Sequence, residues 1–319
     1  ATGDLEQDTG VNGYLFDDIL ENALRKFQER QGLDVDGILG PATLQALNAP
    51  VEQRVRQIEL NLERWRWLPQ NLGERYVLVN MASFELIVVE KVQPGTAMRV
   101  IVGKGYRRTP VFSGQMTHLV LNPYWHVPPN IAVKDKLPLI QKDPNYLHNQ
   151  NMKVFQGWGT DEKELDPKRI DWSKVNAKSF KFRLRQEPGP WNALGRVKFM
   201  FPNRFNVYLH DTPSRELFEK TVRTFSSGCT RLEKPMELAE YLLRDDPKWT
   251  HETIIAAIEK QVEQTVRLPR SIPVHLLYWT AWVDRESSLH FVRDIYGRDK
   301  RLDEALKDPP LPRNLKRLV

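Results

Sequence analysis

Cys229 is the first residue whose type and setting could do chemistry. It is the single cysteine of the 319-residue chain and lies in the polar stretch FSSGCTRL, residues 225 to 232. A lone cysteine is either an inert core thiol or a nucleophile, and buried cysteines usually lie in apolar strands or helices. Gly228 and the serines before it instead favour an exposed turn whose backbone N–H groups can hold an oxyanion. Arg231 adds a cation that favours the thiolate, so the local context favours a nucleophile.

A nucleophilic cysteine needs a base within hydrogen-bond reach. Of the seven histidines, His210 is the best candidate because it ends the apolar run VYLH and precedes the turn DTP, which places it at the rim of a sheet. An ordinary strand-end histidine explains this pattern equally well, so spacing alone leaves the role open. His126, in NPYWHVPP, is the second candidate. Tyr208 lies two residues before His210, so on a strand both side chains point to one face.

The composition restricts the class of protein. Apolar residues make up 40% of the chain and charged residues 28%, as in an ordinary globular protein, and no apolar run is long enough to cross a bilayer. The net charge of +6 mildly favours an anionic partner, but the basic residues are mixed with acids, and no basic-aromatic stripe indicates nucleic-acid binding. One cysteine excludes an intramolecular disulfide and a multi-cysteine metal cluster. Without an H-E-x-x-H motif or a phosphate-binding glycine loop, we expect no metal and no organic cofactor.

The elements that must position these residues are those of an α+β fold. The sequence predicts a small helical module over residues 1–49 and a connecting helix over 50–72. A mainly antiparallel sheet domain follows over 73–319, because short apolar runs separated by turns replace the helical periodicity and no βαβ alternation occurs. Residues 134–189, rich in Lys, Asp, Asn and Pro, are predicted to form an insertion that packs loosely over the site.

Three patterns carry more detailed predictions. Apolar residues spaced 4-3-4-3 along VEQRVRQIELNLERWRWLP predict an amphipathic connecting helix with one apolar face. THETIIAAIEKQVEQTV predicts a helix with Thr250 as its N-cap. The insertion carries isolated aromatics. The apolar face of the helix comprises Val51, Val55, Ile58, Leu62 and Trp65. The aromatics of the insertion are Phe155, Trp158, Trp172 and Phe180.

Taken together, YLHDTP and SSGCTRL, with eighteen residues between His210 and Cys229, resemble the signature of the L,D-transpeptidases with a YkuD-type catalytic domain. The blocks RRTPVFSGQMTHLVLNPYWHVPP, PGPWNALGRVKFMFPN and HFVRDIYGRD are similar to those of the large periplasmic subgroup typified by YcbB. DVDGILGPATLQAL resembles the last part of a type-1 peptidoglycan-binding module. The chain departs from the family at two positions, with Asp211 where glycine is frequent and Ser227 where histidine is frequent.

The resemblance implies a two-step acyl transfer that forms 3→3 peptidoglycan cross-links. Cys229 would attack the third residue of a donor tetrapeptide stem, releasing D-alanine and leaving a thioester that a second stem's amine resolves. His210 would move the proton, and the N–H groups of Gly228 and Cys229 would hold the oxyanion. Tyr208 would donate to the oxyanion or hold substrate, with a packed core tyrosine as the alternative. The resemblance also implies acylation by carbapenems. It further implies that the aromatics of the insertion cover the bound stem, with a solvated loop whose aromatics pack locally as the alternative.

The resemblance further implies a substrate-binding set. Arg231 would bind a stem carboxylate, or brace its loop through an ion pair. The other predicted substrate-binding residues are Ser227, Trp125, Asn192 and Gly195.

Other readings stay open. The acceptor could be water, as in an L,D-carboxypeptidase, or a lipoprotein lysine, as in an anchoring transferase. A non-catalytic wall-binding scaffold is the alternative from another class. We expect peptidoglycan stems and other cell-wall synthesis proteins as partners. We also expect a periplasmic protein held at the inner membrane by an N-terminal segment absent from this chain.

Overall fold

A computed structural model describes residue 4 and residues 15–91, 93–157 and 159–308. Its elements make an α+β protein, with helices at the N-terminus and a large sheet after them. The domain limits named above stay predictions. Trp158 lies outside the described residues.

The helices comprise a helical N-terminal region and shorter pieces distributed through the sheet domain. Their bounds are α1 Asp18–Arg30, α2 Pro41–Leu47, α3 Val51–Arg66, α4 Pro129–Ile131, α5 Leu137–Lys142, α6 Tyr146–Asn149, α7 Pro235–Leu243, α8 His251–Glu259 and α9 Arg298–Lys307. A π-helical turn, Ala132–Lys136, joins α4 to α5.

The strands form one large sheet and two smaller ones. Their bounds are β1 Arg75–Asn80, β2 Glu85–Glu90, β3 Gln93–Gly103, β4 Phe112–Leu121, β5 Trp125–His126, β6 Met152–Gln156, β7 Lys163–Leu165, β8 Arg183–Gln186, β9 Val197–Met200, β10 Leu209–His210, β11 Thr224–Ser226, β12 Thr230–Leu232, β13 Gln264–Leu277, β14 Ala281–Val283 and β15 Leu289–Phe291.

The large sheet has the strand order β11-β3-β12-β10-β9-β4-β13-β1-β2, and β2 also pairs with β3, which closes the sheet on itself. Most pairs are antiparallel, but β1–β13, β10–β12 and β11–β3 are parallel. Alternate side chains of these strands point into one apolar core, against which α7 and α8 also pack. Among the described residues, no helix has the length and apolar character needed to span a bilayer.

Two predictions about helices need correction. The connecting helix α3 forms, but Val51, Val55 and Leu62 on its apolar face are exposed, while Leu60 and Asn61 are buried. A polar network, described below, decides which face turns inward. The helix that Thr250 caps ends at Glu259. The residues after it begin β13, because β4 and β1 supply hydrogen-bond partners for a central strand.

The insertion is also better packed than predicted. It forms a subdomain, here called the cap, that contains β5 to β8 as a four-stranded sheet with α4 to α6 beside it. The cap has its own apolar cluster, which includes Trp125, Val154 and Leu184, with Trp172 and Phe180 packed at its edge. The four-stranded sheet of the cap includes β5, and the cap is folded rather than loose because its scattered aromatics converge in three dimensions.

Candidate active site

Cys229 lies in the short turn between β11 and β12 that the sequence predicted. Gly228 has φ +121°, a backbone conformation that side chains rarely adopt and that a glycine permits. Ser226 Oγ accepts a hydrogen bond from the Gly228 N–H at 3.1 Å and donates one to the Cys229 carbonyl at 2.5 Å. From β4's side, Thr109 Oγ1 donates to the Gly228 carbonyl at 2.9 Å. The turn is therefore held from both sides.

These contacts change the role predicted for Gly228. Its N–H already donates to Ser226, so it is not free to donate to an oxyanion. We therefore revise Gly228 from an oxyanion donor to the residue that shapes the turn. Within the described part of the chain, no hydrogen bond engages the N–H of Cys229, which leaves that group available.

The strand registers bring four predicted residues to one face of the sheet. In the parallel pair of β10 and β12, His210 lies opposite Arg231. Tyr208 lies two residues before His210, and Cys229 lies two residues before Arg231. Residues in register, and residues two apart on a strand, share a face. His210 and Cys229 are consequently diagonal neighbours. No direct hydrogen bond joins them among the contacts of the described residues, and such contacts often tighten only with substrate bound.

His210 is held by Asp211, the residue that follows it in the chain. Its Nδ1 lies 2.5 Å from the Asp211 backbone carbonyl. A carbonyl only accepts, so Nδ1 carries the proton and Nε2 keeps a lone pair for a base role. The buried Asp211 carboxylate accepts from the Arg196 and Thr212 N–H groups at 2.9 and 2.7 Å, and also from Arg215 at 3.3 Å. Asp211 therefore fixes the carbonyl that orients His210.

Burial sets the resting protonation of the site. Burial, with help from Arg231, lowers the pKa of His210 to about 3, so its imidazole is neutral at pH 7. Burial also raises the pKa of the Cys229 thiol, against the opposing effects of hydrogen bonds from Tyr208 and of the Lys198 and Arg231 charges. Arg231 does favour the thiolate as predicted, but burial has the larger effect. The resting pair is a thiol and a neutral imidazole.

Tyr208 lies level with Cys229 in the pair of β10 and β12. Burial, with a smaller effect of the nearby Cys229, raises the pKa of the Tyr208 phenol, so the hydroxyl keeps its proton and can donate. Tyr208 also packs between the sheet core and the cap cluster. The packing agrees with the alternative of a packed tyrosine, and the role of Tyr208 as a donor stays a prediction.

The predicted substrate-binding residues divide into two groups. Arg231 makes no ion pair with a described carboxylate, and its Nε is buried without a hydrogen-bond partner. It is therefore available to a ligand, and the alternative of an ion pair within its loop finds no support. Ser227 is exposed, and its Oγ accepts from Arg107 Nη1 at 2.8 Å. Trp125 is 9% exposed within the cap cluster, with the Lys136 ammonium 5.2 Å from its ring centroid.

Asn192 and Gly195 hold the loop beside Asp211. The Asn192 amide is buried and donates to the carbonyls of Pro123 and Glu187 at 2.9 and 3.0 Å. Gly195 has φ +61°, and a Cβ there would lie 2.4 Å from the Asp211 carboxyl carbon. Both residues therefore support the loop, and their part in substrate binding stays a prediction. The second histidine candidate, His126, lies in the cap on β5, not beside Cys229 on the large sheet.

Sequence reasoning missed three residues at the site, namely Lys198, Arg107 and Thr109. Lys198 lies on β9 opposite His210, and its ammonium is 4.1 Å from the centroid of the Tyr208 ring. The alternation of buried Val197 and Phe199 around it signals a strand whose lysine faces the other side. Nothing in the sequence shows that His210 is its partner. No group of three or more His, Cys, Asp or Glu side chains placed to hold a metal occurs among the described residues.

Comparison with known proteins identifies the family. Residues 74–255 match the model of YkuD, the L,D-transpeptidase catalytic domain, so the chain belongs to that family. Residues 6–47 match the model described as "Putative peptidoglycan binding domain". A Haemophilus influenzae protein described as "Putative L,D-transpeptidase" is 35% identical over 252 residues, which are 78% of this chain and 49% of that protein. The chain thus spans about half the length of this curated relative.

Solved structures give a more distant similarity. L,D-transpeptidase 3 from Mycobacterium tuberculosis, in complex with a faropenem-derived adduct, is 13% identical with a TM-score of 0.31, covering 64% of this chain and 60% of the other. The L,D-transpeptidase LdtMt1 in complex with imipenem is 10% identical with a TM-score of 0.28, covering 64% and 59%. At such scores family membership rests on the sequence match alone.

Proposed function

We propose that the protein is an L,D-transpeptidase that forms 3→3 cross-links between peptidoglycan stems through a thioester on Cys229. The observation that carries the proposal is the single sheet face that brings together Cys229, Tyr208, His210 and Arg231 in a chain of the YkuD family. The match to a peptidoglycan-binding domain supports the same substrate.

In the first step, Cys229 Sγ attacks the carbonyl carbon of the third stem residue. The carbon–sulfur bond forms, the bond to the D-alanine nitrogen breaks, and His210 Nε2 passes the thiol proton to that nitrogen. Negative charge develops on the carbonyl oxygen, where the Cys229 N–H and the Tyr208 hydroxyl are the available donors. Because both catalytic groups rest neutral, proton transfer accompanies attack.

In the second step, the amine of an acceptor stem attacks the thioester carbon. The new carbon–nitrogen bond forms as the carbon–sulfur bond breaks, and the amine proton returns to sulfur through His210. The cap supports transfer over hydrolysis, because a folded subdomain packed against Tyr208 can keep water from the thioester. Assignment to the YcbB-like subgroup, a periplasmic location and partnership with other cell-wall synthesis proteins are further parts of the proposal.

The test is intact-protein mass spectrometry after adding imipenem, with Cys229→Ala beside the wild type. We expect a mass increase of one drug molecule on the wild type and none on the variant. A defined donor tetrapeptide with an acceptor stem then separates the activities. A cross-linked dimer supports transpeptidation, release of D-alanine without a dimer indicates a carboxypeptidase, and transfer only to a lysine peptide indicates an anchoring enzyme. A folded wild type that forms no adduct and turns over no donor overturns the proposal in favour of the scaffold.

A further inference from the structure

Two cationic side chains flank His210 on its own face of the sheet. Lys198 lies opposite His210 in the antiparallel pair of β9 and β10, and Arg231 lies opposite it in the parallel pair of β10 and β12. Paired residues of neighbouring strands share a face, so an ammonium, an imidazole and a guanidinium stand in one row. Tyr208 and Cys229 occupy the adjacent row.

Neither cation has a carboxylate partner within ion-pair distance among the described residues. The Lys198 ammonium instead lies over the Tyr208 ring at 4.1 Å, and burial lowers its pKa. Arg231 Nε is buried and unsatisfied. Partly buried cations without a counter-charge are costly, and most proteins pair them. The arrangement therefore points to an anion that arrives with the substrate.

The position of Lys198 limits which substrate anion it can meet. Its ammonium covers the ring of Tyr208, and Tyr208 lies level with Cys229 where the chain enters the parallel pair of β10 and β12. The anion must therefore lie within a few bonds of the carbon that sulfur attacks. In a tetrapeptide stem, the departing D-amino acid carries its free carboxylate three bonds from that carbon. A stem with a further residue, or an amidated end, has no charge at this point.

We propose that Lys198 is a specificity-determining residue that binds the free carboxylate of the departing D-amino acid. It thereby selects donor stems that end one residue beyond the scissile bond. This inference rests on the proposed transpeptidase function and deepens it. A charge-assisted hydrogen bond made or lost at such a site changes a rate by roughly 10- to 100-fold.

The experiment compares two donors that differ only in this charge, a tetrapeptide stem with a free C-terminus and the same stem as its C-terminal carboxamide. The rate of acyl-enzyme formation on Cys229 is followed by intact-protein mass spectrometry. The variants are Lys198→Met, which keeps length and removes charge, and Lys198→Arg, which keeps charge. Lys153→Met is the matched control, because Lys153 is a half-buried strand lysine paired with Glu164 at 3.2 Å in the cap.

We expect the wild type and Lys153→Met to favour the free carboxylate by 10-fold or more, Lys198→Met to bring the two donors to nearly equal rates, and Lys198→Arg to keep a preference. If Lys198→Met slows both donors equally and keeps the ratio, or if the wild type has no preference, the inference is wrong while the transpeptidase function stands. If the wild type forms no acyl-enzyme with either donor, both proposals fail together. Iodoacetamide labelling of Cys229 in each variant verifies that the thiol remains accessible.

Discussion

At the scale of single residues, the site combines two groups that burial keeps neutral. In the proposed mechanism, the Cys229 thiol cannot attack until its proton moves to the His210 imidazole. The cations and donors around Cys229 therefore act on the charge that develops during the reaction rather than on a preformed ion pair. Asp211 contributes through its backbone carbonyl, which sets the His210 tautomer. Asp211 thus performs a positioning role.

The neutral state of His210 predicts a dependence of stability on pH. Its pKa is about 3 in the folded protein against an ordinary 6.5 when unfolded. The unfolded chain therefore binds the proton first, so this group's contribution is complete above pH 6.5 and is lost as the pH falls toward 3, by up to about 1.4 kcal/mol per pH unit. Urea denaturation at pH 7, 6 and 5 should show a flatter decline for His210→Gln than for the wild type. Parallel declines would contradict the assignment.

A second residue-scale prediction concerns Gly195, whose missing Cβ makes room for the Asp211 carboxyl group. Gly195→Ala combines a clash at 2.4 Å with a left-handed backbone. We expect it to lower the free energy of unfolding by about 2–4 kcal/mol and to reduce acylation of Cys229 by imipenem. Gly95→Ala is the control, because the closest contact there is an ordinary 3.6 Å to a carbonyl oxygen. Equal stability of the two variants would show that the loop relaxes freely.

At the scale of elements, one arginine joins the cap to the catalytic turn. Arg107 lies in the loop between β3 and β4. Both of its terminal nitrogens, Nη1 and Nη2, donate to the Asp135 carboxylate in the π-helical turn of the cap, Nη2 at 3.0 Å. The Arg107 side chain also donates to Ser227 Oγ, two residues before Cys229. Arg107 is largely buried, so this ion pair is shielded from solvent better than a surface pair. The cap and the cysteine turn are therefore coupled.

Removing this link should loosen the cap over the thioester. We expect Arg107→Gln to speed amide hydrogen exchange across residues 132–142 and to shorten the lifetime of the imipenem adduct several-fold, because water reaches the acyl group more often. The control is Arg169→Gln, which removes an exposed pair with Asp166 at 3.7 Å elsewhere in the cap. An unchanged adduct lifetime alongside faster exchange would separate cap motion from water exclusion.

At the scale of the whole molecule, α3 joins the N-terminal helices to the sheet domain through a polar network. Asn61 is buried, donates to Thr280 Oγ1 at 2.8 Å and accepts from the Thr280 N–H at 2.9 Å. Arg64 pairs with Asp299 at 2.6 Å, and Trp65 stacks on Trp279 at 4.3 Å between ring centroids. The partners of Asn61 and Arg64 explain why these two polar side chains turn inward.

Breaking this network should weaken the whole fold. Asn61→Ala leaves the buried Thr280 N–H without its acceptor, so we expect a loss of about 1–3 kcal/mol in the free energy of unfolding. Glu59→Gln, at an exposed position on the same helix, should change it by less than about 0.5 kcal/mol. Chemical denaturation measures both. A neutral Asn61→Ala would mean that water replaces the lost contact.

The sequence by itself determined the α+β class and predicted Cys229 as the nucleophile with His210 as its base, because a turn of small polar residues around one cysteine and the alternation of apolar residues are local signals. It also correctly predicted the helical region that contains α1 and α2, and Thr250 as the N-cap residue of α8, for the same reason. Only the tertiary structure decided the rest. The inward face of α3, the packing of the cap and the place of Lys198 beside His210 depend on strand register and on partners far away in the chain. Local periodicity carries no information about such partners, and burial, which sets the protonation of Cys229 and His210, arises only when they meet.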